Sequence, residues 1–238
     1  MEKLKSAAEK LGIFLTSYQL EMFQVYYSEL IEWNRHINLT RITGYEEVQL
    51  KHFLDSLTIV MVIKNIKKGL KMADVGTGAG LPGIPLKVVF PDINLTLIEA
   101  TLKKARFLEE VTSRLHLKDI EIIAERAEIV ACDIKYREKF DTVVSRAVAS
   151  LPALTELMLP FCNIGGCCIV QKKGDINKEV EQSQKAIALM GGRLREVKPV
   201  EVEELSDNRW LVVIDKIQST PENYPRRPGM PEKRPIIT

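Results

Sequence analysis

The chain lacks any apolar run of about eighteen residues, so no segment is long enough to be a transmembrane helix. Cysteine is scarce: Cys132, Cys162, Cys167 and Cys168 show no metal-ligand spacing, and two of them are neighbours, an arrangement that disulfide frameworks seldom use. They read as reduced, mostly buried residues, and His36, His52 and His116 are too scattered to bind a metal, so structural roles and no metal are expected. Charge of one sign is also missing. A net charge of +2 does not announce a nucleic-acid partner, so any such argument must rest on local clusters. What is present, 45% apolar and 28% charged residues in 238, excludes a disordered chain and fits one catalytic domain with a modest extension. The opening Met1-Glu2-Lys3-Leu4-Lys5 leads into an amphipathic helix instead of a signal peptide, which predicts a cytoplasmic protein with no membrane partner and a monomer as the simplest state.

Strands are lacking before residue 70. Three helical patterns occupy roughly residues 2 to 11, 17 to 37 and 45 to 60. The pattern then alternates, with apolar runs at about 71 to 76, 94 to 99, 119 to 124 and 141 to 145, each followed by a helical stretch, which predicts a parallel sheet. The helix after the second run carries Leu102, Ala105, Leu108, Val111 and Leu115 on one face. A strand near 167 to 171, a helix from about 176 to 190 stopped by Gly191-Gly192, and strands near 194 to 202 and 209 to 217 complete the set. The last two strands have no helix between them and read as an antiparallel hairpin. A seven-stranded, mostly parallel sheet with an antiparallel last strand is the methyltransferase variant of the Rossmann-like α/β architecture. The boundaries follow: 1-64 as an N-terminal helical extension, 65-218 as the sheet domain, and 219-238 as a basic tail whose five prolines keep it out of helix or strand.

The strongest local signal is Met72-Ala73-Asp74-Val75-Gly76-Thr77-Gly78-Ala79-Gly80-Leu81, a strand ending in an acid and then glycines at alternate positions. Glycine permits the tight turn and lets a ligand approach the backbone, and open α/β sheets bind ligands at the carboxyl ends of their strands. Gly78-Ala79-Gly80-Leu81-Pro82-Gly83 also fits the literal dinucleotide pattern, with Glu99 about 20 residues on, so an NAD-dependent oxidoreductase remains an alternative. Against it, Pro82 removes an amide that a pyrophosphate would use, and Asp74 favours the sulfonium cation of S-adenosylmethionine over a phosphate. Glu99 is placed to accept both hydroxyls of a ribose. Ala127 and Glu128, after the third strand, are candidates to frame an adenine edge; a charged helix start is the competing reading. A noncatalytic RNA-binding protein that keeps the fold is the third class.

Longer strings carry a resemblance across nearly the whole chain: Trp33-Asn34 with Asn38-Leu39-Thr40, His52-Phe53-Leu54-Asp55-Ser56-Leu57, Asp74 through Leu86, Arg126-Ala127-Glu128, Ser145-Arg146-Ala147, Lys173-Gly174 and Tyr224-Pro225-Arg226-Arg227-Pro228-Gly229. The chain resembles the bacterial small-subunit ribosomal RNA methyltransferase G family, also called glucose-inhibited division protein B. The resemblance implies methylation of N7 of one guanosine in 16S ribosomal RNA, with S-adenosylmethionine as cofactor and the RNA or the small ribosomal subunit as partner. That nitrogen carries a lone pair and no proton, so alignment and not base catalysis would dominate. The fourth strand lacks an Asp or Asn followed by Pro-Pro and an aromatic, which argues against methylation of an exocyclic amine, and no cysteine lies near it to serve carbon methylation. Arg146, at the mouth of the crevice, is the expected catalytic residue, ordering the cofactor or the RNA; a surface ion pair is the alternative. For RNA, the candidates are Asn34 and Arg35 at a helix end, Lys172 and Lys173 after the fifth strand, Arg226 and Arg227 in the tail, and the lysines 64, 67, 68 and 71, each of which has a solvated face as its plainer reading.

Overall fold

The computed structural model describes residues 1–63, 66–146, 149–205 and 207–237, so Lys64 and Ala147 lie outside the described residues, as does the 64/65 boundary. Seven strands form one sheet: β1 Lys71–Val75, β2 Asn94–Ile98, β3 Ile120–Ile123, β4 Phe140–Arg146, β5 Cys162–Lys173, β6 Gly192–Pro199 and β7 Arg209–Lys216, in the order β3-β2-β1-β4-β5-β7-β6. β1 to β5 run parallel, and β7 inserts antiparallel between β5 and β6, as the helix-free connection between the last two strands predicts. The carboxyl ends of β1, β2, β4 and β5 therefore share one edge. Helices α5 (Gly83–Val89), α6 (Leu102–Arg114), α7 (Ala127–Val130), α8 (Leu151–Met158) and α9 (Asn177–Leu189) connect the strands. On α6 the buried face is Ala105, Phe107, Leu108, Val111 and Leu115, whereas Leu102, expected on that face, is exposed at the first turn.

The N-terminal helices α1 (Glu2–Lys10) and α2 (Ser17–Asn34) pack on one face of the sheet. Leu4, Phe23, Tyr26 and Leu30 belong to the same apolar cluster as Ile84, Leu97 and Phe107. A capping box starts α2: Gln19 N donates to Thr16 Oγ1 at 3.2 Å, and Thr16 N donates to the Gln19 side chain at 3.0 Å. The helix stops at Asn34, three residues short of the predicted end, because the Asn34 side chain takes the amides of Leu39 and Thr40, both at 2.9 Å, and turns the chain away. The helix expected over 45 to 60 is broken into α3 (Tyr45–Val48), a π-helical turn Gln49–Leu54, α4 (Asp55–Leu57) and a 3-10 turn Thr58–Met61. Such a π turn widens the helix locally, and this one brings His52 and Asp55 to the carboxyl edge of the sheet.

The tail departs from expectation. It forms a short helix, α10 (Met230–Lys233), and docks on the sheet domain: Arg226 pairs with the fully buried Glu156 at 2.7 Å, and Arg137 donates to the carbonyls of Thr220 and Tyr224. Backbone carbonyls and one buried carboxylate offset what the prolines deny it in ladder hydrogen bonds. Of the cysteines, Cys132 is exposed, and Cys162 and Cys168 are buried; burial raises the Cys168 thiol well above its ordinary value.

Candidate active site

A crevice of about 450 Å³ opens above the tips of β1 and β2, lined by Gly76, Gly78, Leu81 and Glu99 among the predicted residues. The turn is pinned by Gly76 N and Thr77 N, which donate to Ile98 O at 2.9 and 3.2 Å. Its glycines serve different ends. Gly78 has φ +59°, and a Cβ there would meet nothing closer than the turn's own Gly76 O at 4.0 Å, so its missing side chain leaves the crevice open. A Cβ on Gly80 would instead run into Ile84 Cδ1 and come within 2.9 Å of the Tyr26 hydroxyl, so this glycine, with φ +86°, admits the packing of α5 and α2 and does not line the crevice. Tyr26 Oη donates to Ala79 O at 2.5 Å, so the N-terminal helices help to hold the turn.

Glu99 stands across the crevice with 6% of its surface exposed. Its Oε2 accepts from Gly78 N at 3.0 Å and its Oε1 from Thr101 N at 2.8 Å, which fixes the carboxylate with lone pairs left to accept ribose hydroxyls. Asp74 has a different place from the one expected. It is fully buried beneath the turn, where Oδ2 accepts from Thr77 Oγ1 at 2.7 Å and Gly83 N at 2.8 Å, and it does not line the crevice. Burial raises its carboxyl from 3.8 to about 6 against the pull of those two hydrogen bonds. Its task is to hold the turn to the start of α5.

A second cavity of about 400 Å³ lies beside the crevice, over the ends of β4 and β5. His52 and Arg146 line both spaces. Arg146 Nη1 pairs with Asp55 Oδ2 at 2.8 Å, and the other oxygen of Asp55 pairs with Arg209 Nη1 at 2.6 Å. All three side chains are at most 13% exposed, so this is a buried, mutually dependent triad. Arg146 is therefore an ion-paired residue after all, but of the buried kind that fixes a guanidinium. His52 is held neutral: burial, and then the Arg146 charge, lower it from 6.5 to about 4. Its Nδ1 lies 3.1 Å from Lys51 O and 3.5 Å from Arg146 Nη2, and its Nε2 lies 2.7 Å from Thr40 Oγ1, so both ring nitrogens have hydrogen-bond partners.

The remaining predicted residues scatter. Ala127 and Glu128 do not line the crevice; Glu128 Oε1 accepts from Gly229 N at 2.7 Å and anchors the tail. Asn34 caps a loop through its Oδ1, which accepts the amides of Leu39 and Thr40, and Arg35 pairs with Glu32 on an exposed helix end. Lys172 is largely buried against Glu179, and Lys173 pairs with Asp207, whose carboxyl burial pushes up but Lys173 and Arg209 together take down to about 2. Arg226 is consumed by Glu156, whereas Arg227 is exposed. Reading from sequence missed Leu39, Thr40, Lys104 and His52 as crevice residues. The string from Asn34 to Thr40 held the signal for the first two, since an asparagine capping amides five and six residues on folds them back over the sheet edge.

Fold and crevice together define a Rossmann-like class I S-adenosylmethionine-dependent methyltransferase. The same fold recurs in a ribosomal protein L11 methylase from Lactobacillus delbrueckii subsp. bulgaricus, at a TM-score of 0.51 with 18% identity over 74% of this chain and 81% of that one. It recurs in a SAM-dependent methyltransferase from Aquifex aeolicus, at a TM-score of 0.52 with 17% identity over 73% of this chain and 94% of that one. Residues 19–208 match the family described as GidB, rRNA small subunit methyltransferase G, and the chain belongs to that family. It is similar to the ribosomal RNA small subunit methyltransferase G of Dehalococcoides mccartyi, 52% identical with 100% of both chains covered. The counterpart in Pelotomaculum thermopropionicum is 47% identical over 99% of this chain and 98% of its own. This membership sets the dehydrogenase reading aside. Among the described residues, no helix is long and apolar enough to cross a membrane.

Proposed function

We propose that the chain transfers the methyl group of S-adenosylmethionine to N7 of one guanosine in small-subunit ribosomal RNA. The observation that carries this reading is the junction of the two spaces, where the two shared residues are an arginine and a neutral histidine whose nitrogens are both engaged. Neither is free to remove a proton, and an acceptor nitrogen with a bare lone pair needs none. Gly78 leaves room for the cofactor, and Glu99, Gly76 and Leu81 are placed to hold it. When bound, S-adenosylmethionine supplies a methyl group activated by the sulfonium. The protein's part is to align the acceptor and exclude water, with Arg146 as the catalytic residue at the junction and Asp55 keeping it there.

The test is mass-spectrometric mapping of small-subunit RNA from cells with and without this protein. One N7-methylguanosine should vanish without it and return when purified small subunits are incubated with protein and S-adenosylmethionine. An unchanged set of methylated nucleotides would overturn the proposal, and RNA binding without methyl incorporation would favour a noncatalytic role.

A further inference from the structure

The second cavity has a composition that suits one kind of occupant. Five cations stand in its wall against five carboxylates: Lys51 with Glu47, Arg146 and Arg209 sharing Asp55, Lys172 with Glu179, Lys173 with Asp207, and Asp175 as a further acid of the lining. A site for a bare phosphate would leave cations uncompensated, so the neutralised wall favours an uncharged ligand with polar edges. The same wall carries apolar surface from Ile42, Ile176 and Leu211 and the indole of Trp210, whose Nε1 donates to Gly174 O at 2.9 Å and so holds the ring in one orientation. Its volume of about 400 Å³ falls within the usual range for small-ligand sites, roughly 300 to 1,000 Å³.

Its polar pattern is directional. Arg146 and Gln171 are register partners on the adjacent parallel strands β4 and β5, so their side chains leave the same face of the sheet. Arg146 can only donate; its Nη1 is engaged by Asp55, and its Nε–H has no partner among the described residues. The Gln171 amide is fixed the other way round, because its Nε2 donates to Asp55 O at 2.5 Å and to Thr58 Oγ1 at 3.1 Å, leaving Oε1 buried without a donor. Because Gln171 Oε1 has no accessible surface, it orders the wall, and the group offered to an occupant is the Arg146 donor, which is complementary to O6 of guanine and opposed to N6–H of adenine.

We propose that this cavity is the acceptor-base subsite, which takes a single guanine turned out of the RNA, stacks it on Trp210 and reads its position 6 through Arg146, with Asp55 and Arg209 as positioning residues. The inference rests on the guanosine reading above and adds to it where the base is held and what rejects adenine. Holding O6 at Arg146 keeps N7, its neighbour on the ring, at the junction with the crevice that shares Arg146 and His52. Enzymes that do chemistry on a base commonly take it from a single strand or turn it out of the stack in this way.

The probes are GMP, AMP and ribose 5-phosphate, titrated by calorimetry against the full chain saturated with S-adenosylhomocysteine, and by Trp210 fluorescence in a Trp33→Phe background. The expected result is saturable quenching by GMP, binding of AMP at least about tenfold weaker, and no quenching by ribose 5-phosphate. Trp210→Leu should weaken GMP about tenfold or more and raise the KM for small subunits, with S-adenosylhomocysteine affinity unchanged. Arg146→Lys, which keeps the charge but loses the planar fork, should erode the preference for GMP over AMP at least severalfold. Equal binding of GMP and AMP, ribose 5-phosphate binding as well as GMP, or no saturable GMP binding at millimolar concentration would each overturn this assignment. If S-adenosylhomocysteine itself does not bind, the functional reading falls; if it binds and N7-methylguanosine is made while GMP and AMP are indistinguishable, only the subsite falls.

Discussion

The two spaces that meet at Arg146 are built by different means. The crevice over β1 and β2 is built on a glycine turn and one carboxylate tied to amides. Half of its lining is therefore the stretch 76–81 with Glu99, and Leu39, Thr40, His52, Lys104 and Arg146 close it from outside. The neighbouring cavity is mostly side chain. Its residues come from positions 42, 51–55, 146, 171–179 and 200–211, and charges that satisfy one another hold its wall together. A cofactor of constant shape can be met by a fixed turn, whereas a wall of interlocked ion pairs depends on every member, so the two halves should fail differently when altered.

Asp55→Ala strikes the interlocked half hardest. It leaves Arg146 and Arg209 buried without a counter-charge and should cost about 3 to 5 kcal/mol of folding stability, read by urea unfolding. A loss under about 1 kcal/mol would mean the triad is solvated and the contrast is false. Gly78→Val attacks the other half: a β-branched residue at φ +59° strains the turn by about 1 to 3 kcal/mol, and its side chain fills the crevice and should weaken S-adenosylhomocysteine roughly 100-fold or more by calorimetry. Glu99→Ala should lose about 1.5 to 3 kcal/mol of the same affinity for each ribose hydrogen bond removed, and unchanged affinity would take Glu99 out of the site.

His52 sharpens the comparison through pH. Its folded value of about 4 lies below the ordinary 6.5, so its stabilisation is complete above pH 6.5 and is lost as pH falls toward 4. Asp74, raised to about 6, runs the opposite way: its stabilisation is present below pH 3.8 and lost as pH rises through 6. The stability difference between wild type and His52→Gln should therefore shrink by about 2 kcal/mol between pH 7.5 and pH 5. Parallel profiles would show that His52 is not buried neutral. The smallest effect is expected at the exposed Arg227, where replacement by Ala should leave stability within about 0.5 kcal/mol and lower the salt dependence of RNA binding by roughly 0.7 of a unit slope.

The same contrast explains what the sequence disclosed. Strand positions, the antiparallel insertion of β7 and the glycine turn were legible because each depends on local periodicity or on one backbone conformation. Glu99 was legible because it closes a strand at a fixed offset from that turn. Gly80 and Asp74 were read as ligand-facing, but the difference between lining a crevice and supporting it depends on what packs against the turn, Ile84 and Tyr26 at Gly80 and the start of α5 at Asp74. The basic residues were the least legible. Lys172, Arg209 and Arg226 look free in a sequence, and only the fold reveals the carboxylates that occupy them. The second cavity had no local signature at all, since the π turn that brings His52 and Asp55 to Arg146 breaks the helical period expected there.

The most direct test of the account is a crystal structure of the chain with S-adenosylhomocysteine. The ribose hydroxyls should lie within hydrogen-bond distance of Glu99, with the glycine turn against the ligand and its sulfur facing the opening shared by His52 and Arg146. A ligand bound at any other edge of the sheet, or a ribose that does not touch Glu99, would contradict it.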